Sequence, residues 1–254
     1  MKSMTRVVLV TGASRGIGAA TARAFAAAGA SVVLVARDEQ RLDAVRKEIA
    51  AAGGAAIAFP ADVSEVAATE AMVGRAIAEF GRLDVAVNAA AAHGSRPRPL
   101  AETPPEEFEQ ALAVTVRGTY LSMRNEIPAM ITAGGGVIVN VASTAGLRSI
   151  SGLAGYVAAK RALIGLTEVA ALDYAADGVR VNAIAPGPIH TEQLERAGAA
   201  AREHVRRTVP VHRLGTVDEV AATIRWMCGE DAAFVTGSTL VIDGGLLAGT
   251  PTFA

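Results

Sequence analysis

Cysteine is almost missing from this chain. Cys228 is the only one, which excludes an internal disulfide framework, fits a reducing compartment and leaves a small buried hydrophobe as the thiol's ordinary role. Histidine is scarce as well. His93, His190, His204 and His212 are isolated from one another, so with one cysteine no zinc pattern can be assembled. Charge of one sign is also lacking: 24 Lys and Arg against 25 Asp and Glu leave a formal net charge of −1, and no basic face exists to steer the chain toward nucleic acid. No uninterrupted apolar stretch approaches the roughly 20 residues that cross a bilayer. The opening "MKSMTRVVLVTGASRG" runs from a few valines straight into a glycine-rich turn, leaving no room for a signal peptide. The expectation is a soluble, cytoplasmic protein with neither nucleic acid nor membrane as partner.

What is present is apolar material in quantity. Hydrophobic residues make up 51 % and charged residues 19 %, a balance that argues against disorder and for a sizeable core. Short β-branched runs alternate with helical ones. "RVVLVT" (6–11), "SVVLVAR" (31–37), "AAIAFPAD" (55–62), "LDVAVNAA" (83–90), "GVIVNVAS" (136–143), "VRVNAIAP" (179–186) and "STLVID" (238–243) read as strands. Helical composition fills most of the intervals, including one long helix from near Pro105 to Ile131 and another carrying Tyr156 and Lys160. Alternation of this kind predicts an α/β doubly wound parallel sheet of about seven strands with helices on both faces. No linker or repeat divides residues 1–254, so one domain is expected, with the mixed segment 187–215 as a substrate lid. Ligands of such sheets lie beyond the carboxyl ends of the strands.

The first strand leads into "TGASRGIG" (11–18). Gly12 permits a tight turn, while Gly16 and Gly18 let the backbone approach a phosphate and the helix approach the sheet. The following helix N-terminus would present its N–H groups to an anion. At the end of the second strand, where an NAD-binding unit usually has an acid, stands Arg37. Its guanidinium fork suits a 2′-phosphate, with Arg15 placed to flank it. Asp38, one residue later, is read as the cap of the second helix. NADP(H) is therefore preferred over NAD(H). Asp62, followed by Val63, either accepts from an adenine amino group or caps a helix with Ser64; spacing leaves both open.

Tyr156 and Lys160 lie four residues apart, on one helix face. Taken alone, they are as well explained by two amphipathic side chains covering an Ala-rich surface. Around them, however, "TGASRGIG", Asn88 after "LDVAV", Ser143, "PGPIHT" (186–191) and "DGG" (243–245) follow one another in the order found in the short-chain dehydrogenase/reductase family. The chain resembles that family from Val7 to Gly245.

The resemblance implies an NADPH-dependent enzyme that reduces a small carbonyl compound, or runs in reverse on the alcohol. Tyr156 would be the general acid, its phenol lowered toward neutrality by the charge of Lys160, which would also bind the nicotinamide ribose. Ser143 would orient the carbonyl oxygen. Cofactor contacts would come from Gly12, Ser14, Arg15, Gly16, Ile17, Gly18, Arg37, Asp62, Val63, Asn88, Tyr156, Lys160, Pro186, Gly187, Ile189 and Thr191. It further implies a homotetramer joined through helices 105–131 and 151–176.

Two departures stand out. Asn88-Ala89-Ala90-Ala91 replaces the usual Asn-Asn-Ala-Gly, adding a methyl group where backbone runs close to the cofactor. Thr115 replaces an asparagine thought to hold a relay water. These keep two other readings in view: an enoyl-type double-bond reductase, and an NADP-binding protein with little turnover. The 92–100, 144–155 and 187–215 loops are expected to shape a moderately apolar substrate pocket. His93 and His190 fall in those loops but read as surface residues. Arg96 and Arg98, in "SRPRPLAETPPEE" (95–107), are placed to meet an anionic substrate, but solvation is the preferred reading.

Overall fold

Valine dominates the strands because both of their faces are covered. The computed structural model describes residues 5–92, 96–196 and 198–249. Among them β1 (Val7–Thr11), β2 (Ser31–Ala36), β3 (Ala55–Pro60), β4 (Val85–Asn88), β5 (Gly136–Val141), β6 (Val179–Pro186) and β7 (Thr239–Ile242) form one sheet in the order β3-β2-β1-β4-β5-β6-β7. Every pairing is parallel. Alternation within a strand sends side chains to opposite faces. Val8 and Val10 join one core cluster with Phe25, Leu42 and Ile224; Val7 and Leu9 join the other with Met72, Met123 and Ile127. The first cluster is closed by α1 (Gly16–Ala27), α2 (Glu39–Ala51) and α9 (Val217–Met227), the second by α3 (Val66–Phe80), α5 (Gly118–Thr132) and α6 (Ala154–Tyr174). This is the doubly wound Rossmann-like architecture the alternation predicted. Cys228 lies fully buried in the first cluster, and burial pushes its thiol up to about 12.

Strand order reverses between β1 and β4, so the crevice at their carboxyl ends is the natural ligand site. The local signals were mostly sound. Asp38 caps α2 by accepting from the Arg41 N–H at 3.0 Å. Thr216 and Glu219 form a capping box at α9. The long helix expected over 105–131 is present without a break, but α4 (Pro105–Ala111) passes through a turn of π-helix, Leu112–Arg117, before α5 begins. The 187–215 segment is more ordered than its sequence suggests. It contains α7 (Glu192–Arg196) and α8 (Ala199–Thr208), and Ile189 forms a parallel bridge with Gly215. α8 buries none of its side chains fully, as befits an exposed helix.

Candidate active site

The glycine turn after β1 is built by close approach. A Cβ at Gly18 would lie 2.3 Å from the Gly12 carbonyl oxygen, and one at Gly12 would lie 2.8 Å from the Ala89 main chain. Both positions therefore exclude any larger residue. Gly16 differs: its φ is +55°, and a Cβ there would meet nothing within 4 Å. The turn thus packs on two sides and opens on the third, where α1 begins with no side-chain cap on its first N–H groups. Open backbone beside an uncapped helix N-terminus fits a dinucleotide pyrophosphate. The Thr11 hydroxyl accepts from the Ala90 N–H at 3.2 Å, fastening this turn to the loop after β4.

Beyond β2, the Arg37 side chain is more than half exposed, with Nη1 3.6 Å from Asp62 Oδ2. Asp62 also accepts from the Ser64 N–H at 2.9 Å and the Ser64 hydroxyl at 2.7 Å. Partial burial raises the Asp62 carboxyl, but those two bonds and the Arg37 charge outweigh it and hold it below its ordinary value. These bonds tie Asp62 to the loop before α3, whose N-cap is Glu65 without a side-chain cap, so Asp62 does not itself cap the helix. Val63 turns its side chain inward, where a Cβ on Gly118 would touch its Cγ2 at 2.7 Å, so only its main chain is left to face the crevice.

At the end of β5, Ser143 Oγ accepts from the Ala145 N–H at 3.1 Å. Its hydroxyl lies beside Tyr156, where it favours the ionised phenol. The turn after Ser143 is pressed onto α6: a Cβ at Gly146 would lie 2.7 Å from the Lys160 carbonyl oxygen. Gly155 similarly lets α6 rest on Ala111 and Phe108 of α4. Lys160 is buried, its Nζ 5.8 Å from the Tyr156 ring centre, and it donates to the Val141 carbonyl at 2.6 Å. Burial lowers its ammonium to about 8. Tyr156 moves the other way. Burial pushes the phenol above its ordinary value, and the Ser143 bond offsets only part of this. The expected lowering by Lys160 is absent here, because desolvation dominates and the ammonium is directed at a carbonyl.

The match to known proteins covers nearly the whole chain. The family model described as Enoyl-(Acyl carrier protein) reductase matches residues 12–247. An A-factor type γ-butyrolactone 1′-reductase (1S-forming) from Streptomyces virginiae is 42 % identical over 244 residues, 94 % of this chain and 95 % of the relative. This chain is a short-chain dehydrogenase/reductase. Cyclohexanol dehydrogenase from Acinetobacter sp. (strain SE19) is 40 % identical over 96 % of this chain and 95 % of its own. The crystal structure of levodione reductase superposes with a TM-score of 0.92 at 35 % identity, covering 98 % of this chain and 100 % of that one.

As a short-chain dehydrogenase/reductase the chain is an oxidoreductase of a family that uses a nicotinamide cofactor. Its loop after β4 is less usual. The Asn88 amide is sequestered, donating to Glu126 Oε2 at 3.0 Å and to Asn140 Oδ1 at 3.1 Å, so what Asn88 offers the crevice is main chain. Glu126 is fully buried; desolvation, only partly opposed by the Asn88 bond, pushes its carboxyl up to about 8. Thr115 sits buried on the π-helical turn and accepts from the Ala92 N–H at 3.3 Å. It therefore holds the very loop in which Ala91 stands for glycine, a role its sequence position did not disclose.

Gly187 packs directly on Asp243, where a Cβ would lie 2.7 Å from the Asp243 Cβ, and its N–H donates to the Ile242 carbonyl at 2.8 Å. This joins Pro186–Thr191 to the end of β7. Further along, the His190 ring is exposed and paired with Glu195. His93 lies outside the described residues, and among the described residues no cluster could hold a metal. Sequence reasoning missed Gly146, Gly155 and Glu126. For the glycines the only available signal was their placement beside Ser143 and Tyr156. Arg96, exposed, and Arg98, partly so, both line the open cavity next to Tyr156.

Proposed function

We propose that this protein is an NADP(H)-dependent reductase of small ketones, or the corresponding alcohol dehydrogenase in reverse. The observation that carries the reading is the grouping of Ser143 and Tyr156 with a buried Lys160 at the carboxyl end of β5. When bound, the nicotinamide supplies the hydride to the carbonyl carbon. Ser143 holds the carbonyl oxygen in place, and Tyr156 gives it a proton as the alcohol forms. Burial keeps the phenol protonated and able to act as an acid. Lys160, its Nζ 5.8 Å from the Tyr156 ring centre, would hold the nicotinamide ribose. Arg37, exposed beyond β2 with no carboxylate at position 36, favours a cofactor carrying a 2′-phosphate. Relatives named for a lactone 1′-reductase and for cyclohexanol support a ketone and alcohol pair.

A cytoplasmic homotetramer, with residues 187–215 acting as a lid, belongs to the same reading. The apolar Val169 and Leu172, 58 % and 82 % exposed on α6, support assembly through that helix. The description of the matching family model favours a second reading, reduction of a carbon–carbon double bond. One experiment separates them: NADPH consumption on paired ketones and enones by wild-type protein and Tyr156→Phe. Ketone turnover that falls at least about 100-fold in the variant is expected from loss of the acid. Turnover confined to enones supports the second reading. No turnover with bound NADPH would leave a binding protein.

A further inference from the structure

We propose that the cavity beside Tyr156 selects carbonyl substrates that carry an anionic group, received by Arg96 across a short apolar span; the inference rests on the reductase reading above. The cavity is open to solvent, holds about 20 Å³ of water-accessible space and has Tyr156 and Thr115 in its wall. Its charged lining residues are Arg96, Arg98 and Glu107. Arg98 Nη2 lies 3.0 Å from Glu107 Oε1, so these two charges cancel locally. Arg96 is exposed and has no acidic partner among the described residues. The cavity therefore keeps one uncompensated positive charge.

The main chain that carries Arg96 is anchored, while its guanidinium is exposed. The Arg98 N–H donates to the Gly152 carbonyl at 3.1 Å, and Arg98 Nε reaches the Arg96 carbonyl at 3.4 Å. Gly152, with φ +81°, permits the crossing, since a Cβ there would meet Pro97 at 3.0 Å. Segment 96–98 is thus clamped over the residues just before Tyr156. The uncharged wall is supplied largely by Ala92, Ala111, Leu153 and Ala154, with Thr103 and Thr115 as its hydroxyl side chains. A carbonyl at Tyr156 and a carboxylate at Arg96, joined by methylenes, match this sequence of surfaces. A guanidinium binds a carboxylate through two parallel charge-assisted bonds.

The test uses the full chain with both NADPH and NADH supplied. Initial rates are measured on 4-oxopentanoate and 6-oxoheptanoate, on their methyl esters, and on cyclohexanone. In wild type at low ionic strength at least one acid should exceed its ester in kcat/KM by roughly 10-fold or more, mainly through KM. Arg96→Gln should bring that ratio toward 1, and Arg96→Glu should invert it. Wild type that treats acids and esters alike, or that turns over cyclohexanone and rejects both acids, overturns the inference while leaving the reductase standing. A ratio unmoved by Arg96→Gln overturns it too. Loss of all turnover, cyclohexanone included, removes the reductase reading and the inference with it.

Discussion

Replacing Glu126 with glutamine should change how the stability of this protein depends on pH while leaving the fold alone. The carboxyl is fully buried, and its one named partner is the Asn88 amide, which donates to it at 3.0 Å. Its folded value of about 8 stands above the ordinary 4.5. Between those two values the unfolded chain has released the proton and the folded chain still holds it. The unfolded state binds fewer protons there, so stability falls as pH rises. It is full below pH 4.5 and is lost up to about pH 8. At about 1.36 kcal/mol for each pH unit of that interval, the loss is roughly 5 kcal/mol. For a chain of this length each kcal/mol moves the melting temperature by roughly 2–4 °C, giving a difference of roughly 10 °C or more. Glutamine keeps the shape and the acceptor oxygen but cannot ionise. Melting temperatures of wild type and Glu126→Gln should therefore diverge as pH is raised from 5 to 8, the variant becoming the more stable. Every other titrating group is common to both proteins, so the divergence isolates this one. Parallel curves would refute the assignment of a neutral acid at this position.

Arg37→Glu should lower the ratio of kcat/KM for NADPH to that for NADH by roughly 10–100-fold, the scale of charge-assisted phosphate bonds, and an unchanged ratio removes Arg37 from the phosphate site. Because burial brings Lys160 down to about 8, its charge is lost as pH rises through that value. The kcat/KM for the coenzyme, which reports the free enzyme, should fall above pH 8, and a profile flat from pH 7 to 10 would contradict the buried ammonium.

The strand and helix order was readable because parallel strands covered on both faces are nearly pure runs of valine, leucine and alanine between turn glycines. Tyr156, Lys160 and Ser143 were readable because their spacing and order form a pattern no single residue carries. Other features left no such trace. The turn of π-helix at Leu112–Arg117 contains neither proline nor glycine, and its cause lies in tertiary packing against the loop at Ala92. Arg96 and Arg98 have the composition of a solvated loop; only the folded chain brings residues 96–98 against Gly152. Glu126 lies in "RNEIPAM", where a carboxylate is expected to face water. Its burial is a matter of which side of α5 meets β4 and β5, and composition cannot tell that.

The π-helical turn has a geometric consequence for how this enzyme's specificity is set. One α-helical residue corresponds to about 100° of rotation, so the wider turn acts as an angular offset between two half-helices on nearly one axis. The half after it, α5, is locked to the core through Gly118, Ile127 and Met130. The half before it, α4, carries Glu107 and Ala111 to the cavity beside Tyr156 and Phe108 to the start of α6. Cavity wall and sheet cover are therefore made from one continuous rod but aimed independently. Removing a single residue between 112 and 117 would rewind the rod and swing the whole wall away from Tyr156, a change that no side-chain substitution in that wall reproduces.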